Sequence, residues 1–135
     1  MMRLSQFAGN PNLGVYSRVS ESYAFVASNL GDEYVAEIEE TLGVKGIKTS
    51  VSGSFVIGSL MAINSNGAIV SGLTEEVELA VIREALPVAL LYDNLNAAGN
   101  NILVNDFGAI VNPEIDDASL RQVEDALGVE CVRGT

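Results

Sequence analysis

Three stretches of the chain set apolar residues on one face of a helix. Leu79, Ile82 and Leu86 fall at positions i, i+3 and i+7, and the spacing recurs in Val35, Ile38, Leu42 and in Leu120, Val123, Leu127. Gly43 and Gly128 follow the first and third faces and Pro87 follows the second, each where a helix should stop. Ahead of each helix stand short runs of strand character. In the middle of the chain, Ile57 to Ile63 reads as one strand and Ala68-Ile69-Val70 begins the returning strand. Between them, Asn64-Ser65-Asn66-Gly67 has the Asn-Gly chemistry that tolerates positive φ in a tight hairpin. Thr74 stands where it can cap the second helix, with Glu75 and Glu76 in the first turn, where negative charge suits the helix dipole.

The pattern repeats. With Gly14, Gly58 and Gly99 aligned, nine positions later come Tyr23, Gly67 and Gly108, followed by Ala24-Phe25-Val26, Ala68-Ile69-Val70 and Ala109-Ile110-Val111. Leu42, Leu86 and Leu127 share a further offset, as do Val44, Val88 and Val129, with no gap needed inside a unit. Each unit reads as strand, turn, strand, helix, short strand, which predicts an α/β fold of ββαβ repeats in one domain over 1–135, with units of approximately 1–50, 51–93 and 94–135. A unit with strands on one side and an amphipathic helix on the other cannot bury itself alone, so neighbours must share a core. Helices are expected outside and strands inside, with Leu42, Leu86 and Leu127 in equivalent buried positions.

Residues 49–74 carry no charge and are long enough to span a bilayer. Gly53, Gly58, Gly67 and Gly72 punctuate the stretch, Asn64 and Asn66 lie inside it, and its longest unbroken apolar run is Leu60-Met61-Ala62-Ile63, which suits a buried hairpin instead. The N-terminal residues lack the apolar run of a signal peptide, and Cys131 is the lone cysteine, so the expected setting is cytoplasmic. A net charge of −11, from eighteen acidic residues against two Lys and five Arg, argues against a sequence-independent grip on phosphates. It favours a basic protein surface as partner.

Candidate chemistry is sparse. The absence of histidine removes Ser-His-Asp and Cys-His catalysis together with the commonest neutral metal ligand. Cys131, between Glu130 and Val132 in an expected strand, has no base or positive field to activate it and reads as structural. The acid pairs Glu75/Glu78 and Asp116/Asp117 stand at helix starts, where capping accounts for them. Gly53-Ser54-Phe55-Val56-Ile57-Gly58-Ser59 lacks the Gly-Lys-Ser/Thr ending of a phosphate loop and precedes a strand. Asn64 and Asn105 read as turn formers. No cofactor and no metal are expected.

Phe7-Ala8-Gly9-Asn10-Pro11-Asn12-Leu13-Gly14-Val15 resembles the opening of the translation initiation factor 6 family, and Val51 to Val70 is similar to its second repeat. The run from Ala98-Gly99-Asn100-Asn101 through Asn105-Asp106 to Asn112-Pro113-Glu114 resembles the third. Ala98 stands where the family usually has Leu, and Ser71-Gly72 replaces a proline step seen in many members. The resemblance implies a pentein, an α/β propeller of five such units, of which three are present here as a partial or open ring. The chain is then either a piece of a longer protein or an open form that closes with another copy, and self-association through its open ends is expected.

The resemblance further implies a non-enzymatic factor. It binds the large ribosomal subunit at the face that would meet the small one, prevents premature joining sterically, and takes part in large-subunit biogenesis. Its partner is mainly a ribosomal protein, with little direct nucleic-acid contact and no membrane. The family's contact surface maps onto Val15, Ser59 and Asn100, with Gly14, Gly58 and Gly99 shaping the backbone. The alternatives are a guanidine-modifying enzyme of the pentein type, which needs a histidine this chain lacks, and a folded fragment without binding activity of its own.

Overall fold

The sequence repeat is also a repeat of hydrogen bonding. The computed structural model describes residues 2–135. Its strands are β1 (Ser17–Val19), β2 (Tyr23–Ala27), β3 (Lys45–Thr49), β4 (Met61–Ile63), β5 (Ala68–Ser71), β6 (Val88–Leu91), β7 (Ile102–Val104), β8 (Ala109–Val111) and β9 (Cys131–Arg133). They form three separate sheets ordered β1-β2-β3, β4-β5-β6 and β7-β8-β9. In each, the first pair is antiparallel and the second parallel, and Ser17↔Val26, Met61↔Val70 and Ile102↔Val111 are pairs in the same register. The fold is mixed α/β, and no barrel closes among the described residues. No described helix is long and apolar enough to cross a membrane.

Each first strand is shorter than its apolar run suggests. Ile57 to Ile63 is not one strand, because Ile57–Leu60 forms a helical turn, α3, before β4 begins at Met61. The same turn precedes the other sheets as α1 (Leu13–Tyr16) and α5 (Ala98–Asn101). Ile57 and Gly58 of α3 are buried, and a buried position selects hydrophobic residues in helix and strand alike, so the apolar run could not distinguish one turn of helix from strand.

The three long helices are α2 (Asp32–Leu42), α4 (Glu76–Arg83) and α6 (Asp117–Leu127). Gly43 and Gly128 close α2 and α6 in the left-handed conformation, as a C-terminal glycine should. The cap of α4 is Glu75 and not Thr74: the Glu75 and Glu78 side chains form a reciprocal capping box, while Thr74 Oγ1 shares a hydrogen bond with Ser52 Oγ at 3.1 Å. A gap inside the second unit also has to be admitted. The partner of Ala68 is Val88, whereas the equivalent Ala24 and Ala109 pair with Gly46 and Cys131, so the crossover from β5 to β6 is two residues shorter, and its helix has 8 residues where α2 and α6 have 11.

The helices of the second and third units each help to complete the core of the unit before them. Leu79 and Ile82 of α4, with Leu86 in the turn past its end at Arg83 and not on the helix as its spacing predicts, join Phe25, Val26, Met61 and Val70 in one apolar cluster, and Val123 and Leu127 of α6 join Ala62, Ile69 and Leu91 in a second. The alternation along β4 and β5 therefore feeds two cores, with Met61, Ile63, Ala68 and Val70 on one face and Ala62 and Ile69 on the other. A sheet covered on both faces has no place for charge, which accounts for the uncharged stretch 49–74.

The equivalence of Leu42, Leu86 and Leu127 fails at the first member. Leu86 is 5% and Leu127 0% exposed, but Leu42 is 50% exposed, because no described sheet precedes α2 to cover its far side. We therefore expect Leu127→Ala and Leu86→Ala each to cost about 2–5 kcal/mol and Leu42→Ala under about 1.5 kcal/mol. Chemical denaturation midpoints of the three variants check this ordering.

Candidate functional site

The residues that the sequence singles out lie in the short helical turns, not at strand starts. Val15, Ser59 and Asn100 occupy the same position in α1, α3 and α5, and those turns stack in that order. The stacking is backbone on backbone. A Cβ on Gly58 would overlap the Gly14 carbonyl oxygen, and one on Gly99 would overlap the Gly58 carbonyl oxygen. Gly14 has open space around it, since no described turn precedes α1. Glycine at Gly58 and Gly99 is thus required by close approach. Of the three side chains after these glycines, Asn100 is exposed, and Val15 and Ser59 are half-buried.

One side chain of β1, which the sequence motifs did not single out, ties the first sheet to the turns α3 and α5. Arg18, on β1, donates from Nε to Met61 O at 2.8 Å and from Nη2 to Gly58 O at 2.5 Å and Gly99 O at 2.8 Å. Burial lowers its pKa from the ordinary arginine value, but an arginine keeps its charge in proteins. The available signal was a break in the repeat: at the positions equivalent to Arg18 stand Ala62 and Leu103.

Around the turns, the chain is held by loops of tight geometry. Ala8 and Ser52 adopt φ of 50° and 52°, each followed by a glycine of positive φ, in two-residue turns closed by Phe7↔Asn10 and Val51↔Ser54. Phe7 anchors the first by stacking on Tyr16 at 4.2 Å between ring centroids and meeting Tyr34 edge-on at 5.3 Å. Glu78 anchors the second: its carboxylate accepts from Ser50 Oγ at 2.7 Å, Gly53 N at 2.9 Å and Glu75 N at 3.0 Å. Burial pushes the Glu78 carboxyl upward, yet these hydrogen bonds outweigh it and hold the pKa below the ordinary value.

At the opposite end of the sheets, the hairpin turns do not use positive φ. Asn64 Oδ1 accepts from Asn66 N and Gly67 N, and Asn105 Oδ1 from Phe107 N and Gly108 N. Gly67 is needed for space instead, since a Cβ there would overlap Ala126 O. Asn64 also reaches the third unit, donating to Asn105 O at 3.2 Å and Leu127 O at 2.7 Å. The β7-β8-β9 sheet exposes Leu103, Ile110 and Val132 beside Phe107, the face equivalent to those that α4 and α6 cover. The Cys131 thiol is pushed up to about 11, first by burial and then by Glu124, so at neutral pH it is a poor nucleophile.

The family model of the eIF-6 family matches residues 2–135. Translation initiation factor 6 of Methanosphaerula palustris is 44% identical over 135 residues, covering 100% of this chain and 61% of its own length. That of Methanopyrus kandleri is 42% identical over 127 residues, 93% of this chain and 58% of its own. That of Archaeoglobus fulgidus is 39% identical over 127 residues, 94% of this chain and 59% of its own. The chain spans about three-fifths of the length of these curated relatives.

The stacking predicts that Gly58→Ala destabilises by more than about 2 kcal/mol while Gly14→Ala stays within about 1 kcal/mol, as read by urea titration. Glu78 predicts a pH dependence. Its folded pKa lies below its unfolded one, so its contribution is present above the unfolded value, about 4.3, and is lost as pH falls through the folded value. Glu78→Gln should therefore be less stable than wild type at pH 7, and the gap should close on acidification below about pH 4. Thermal midpoints of both proteins across that range measure it.

Proposed function

The chain belongs to the eIF-6 family, and from that membership we propose that it binds the large ribosomal subunit at the face that would meet the small one. Bound there, it prevents premature subunit joining by occupying space, without turnover, and it takes part in large-subunit biogenesis. In this reading the three units form part of a pentein-type α/β propeller in the cytoplasm. The observation that carries the proposal is similarity over the whole chain to proteins named translation initiation factor 6.

The proposed contact surface is the rim of stacked turns: Val15, Ser59 and Asn100, with Gly14, Gly58 and Gly99 beneath them. Asn100 is exposed and its amide can both donate and accept, Ser59 adds a hydroxyl, and the glycine backbones allow a partner close approach. A net charge of −11 favours a basic ribosomal protein over ribosomal RNA as the main contact. The backbone of this rim is held by Arg18 and by packing, so it is organised before binding.

Pelleting with purified large subunits tests the proposal. We expect Ser59→Arg combined with Asn100→Arg to weaken co-sedimentation about tenfold or more, or ~1.4 kcal/mol. Asp125→Arg, an exposed position on α6, should bind as wild type does. Failure of the wild-type chain to pellet would overturn the function, and equal loss in the rim and helix variants would overturn the site.

A further inference from the structure

We propose that Asn66 is a self-modification site, whose conversion to aspartate or isoaspartate is held off by contact with the third unit and begins when that contact opens. Asn66-Gly67 is the one Asn-Gly pair in the chain. Asparagine is chemically labile, and most of all before glycine, whose lack of a Cβ leaves its amide nitrogen unhindered. That nitrogen attacks the asparagine side chain at Cγ. The new bond joins Gly67 N to Asn66 Cγ, the bond from Cγ to Nδ2 breaks, and Nδ2 leaves as ammonia with the proton from Gly67 N. Water then opens the cyclic imide, at Cγ to give aspartate or at the Asn66 backbone carbonyl to give isoaspartate. Nothing is oxidised or reduced. Asn66 is exposed, so solvent supplies the water.

The fold withholds both reacting groups. Gly67 N–H donates to Asn64 Oδ1 at 3.2 Å, and Asn66 N–H donates to the same oxygen at 2.9 Å. Asn66 Nδ2 donates to Leu127 O at 2.8 Å, which ties the side chain to the last residue of α6 and away from its own backbone. Gly67 has little freedom to move, since its missing Cβ would stand 2.3 Å from Ala126 O and its carbonyl accepts from Asn64 N at 3.1 Å. Asn64 is itself oriented by the third unit, through Leu127 O at 2.7 Å and Asn105 O at 3.2 Å. Separation of the third unit therefore releases the Asn66 side chain and loosens the amide that holds Gly67 N.

Neither product can rebuild the contact. Aspartate at this position has no donor for Leu127 O and sets a carboxylate against a helix C-terminus, where the dipole is already negative. Isoaspartate adds a backbone carbon just before Gly67, where the chain meets Ala126 O and where Ala68 must keep its pairing with Val88. Conversion thus makes an opening of the second and third units permanent.

Incubating the wild-type chain in buffer and in urea, at one mildly alkaline pH, tests this. Peptide mass spectrometry locates the converted residue, and labelling by an isoaspartyl methyltransferase measures isoaspartate. In urea, Asn66 should convert before any other asparagine. In buffer its conversion should be slower by about tenfold or more, because slow chemistry through an open state follows the population of that state. After urea is removed, converted chains should show a lower thermal midpoint than unconverted ones. Asn66→Asp should likewise lose more thermal stability than Asn66→Ala, which removes the same donor without adding charge, and failure of Asn66→Asp alone to fold is the same result. Slowing in buffer of less than about tenfold, earlier conversion of another asparagine in urea, or equal midpoints in either comparison overturns the proposal. No ribosome enters the assay, so its outcome is independent of the binding reading above.

Discussion

Backbone contact between successive glycine turns sets the spacing of the units, and the sheets, the helices and the rim take their places from it. With Gly58 pressed on the Gly14 carbonyl and Gly99 on the Gly58 carbonyl, the first strands of neighbouring units are drawn together. Farther out, the space between sheets must be filled, and a helix with an apolar face fills it. That is why α4 and α6 each serve the sheet before them as well as their own unit. Arg18 reinforces the contact by giving the carbonyls of Gly58 and Gly99 a charged donor, a bond stronger than one between neutral groups.

The same unit then has three different environments. In the middle, both faces of β4-β5-β6 are covered and even Asn64 is buried, its amide spent on backbone oxygens of the third unit. At the first unit, Gly14 has space above it and Leu42 meets solvent. At the third, Leu103, Ile110 and Val132 are exposed where the equivalent Ala62 and Ile69 are buried. Identical repeat positions thus carry different energetic weight, decided by which neighbour is present.

The rim combines rigidity with polarity. Its backbone is fixed by close approach, by the Glu78 carboxylate on Gly53 and by the Phe7, Tyr16 and Tyr34 rings. Its accessible side chains are small and neutral. Arg18 stands half-buried among them and donates to backbone carbonyls of the second and third units.

Much of this was legible in the chain. The recurrence of Gly14, Gly58 and Gly99, the three helix faces and the Ala-hydrophobic-Val strands pointed to three sheets and to the strand, strand, helix, strand order around each, because local periodicity follows from which face of each element is apolar. The glycine and asparagine positions also pointed to the correct turns, and Asp116 to its helix cap. What tertiary structure alone decided is everything that depends on the neighbouring unit. Ile57 to Leu60 became helix because a turn, not a strand, lets glycine backbones touch. Leu42 was left half in solvent although its pattern equals that of Leu127. Arg18 found its carbonyls 40 and 81 residues away in sequence. Periodicity records what a residue needs from its own element, whereas burial and hydrogen bonding across units depend on groups distant in the chain, and no local pattern encodes those.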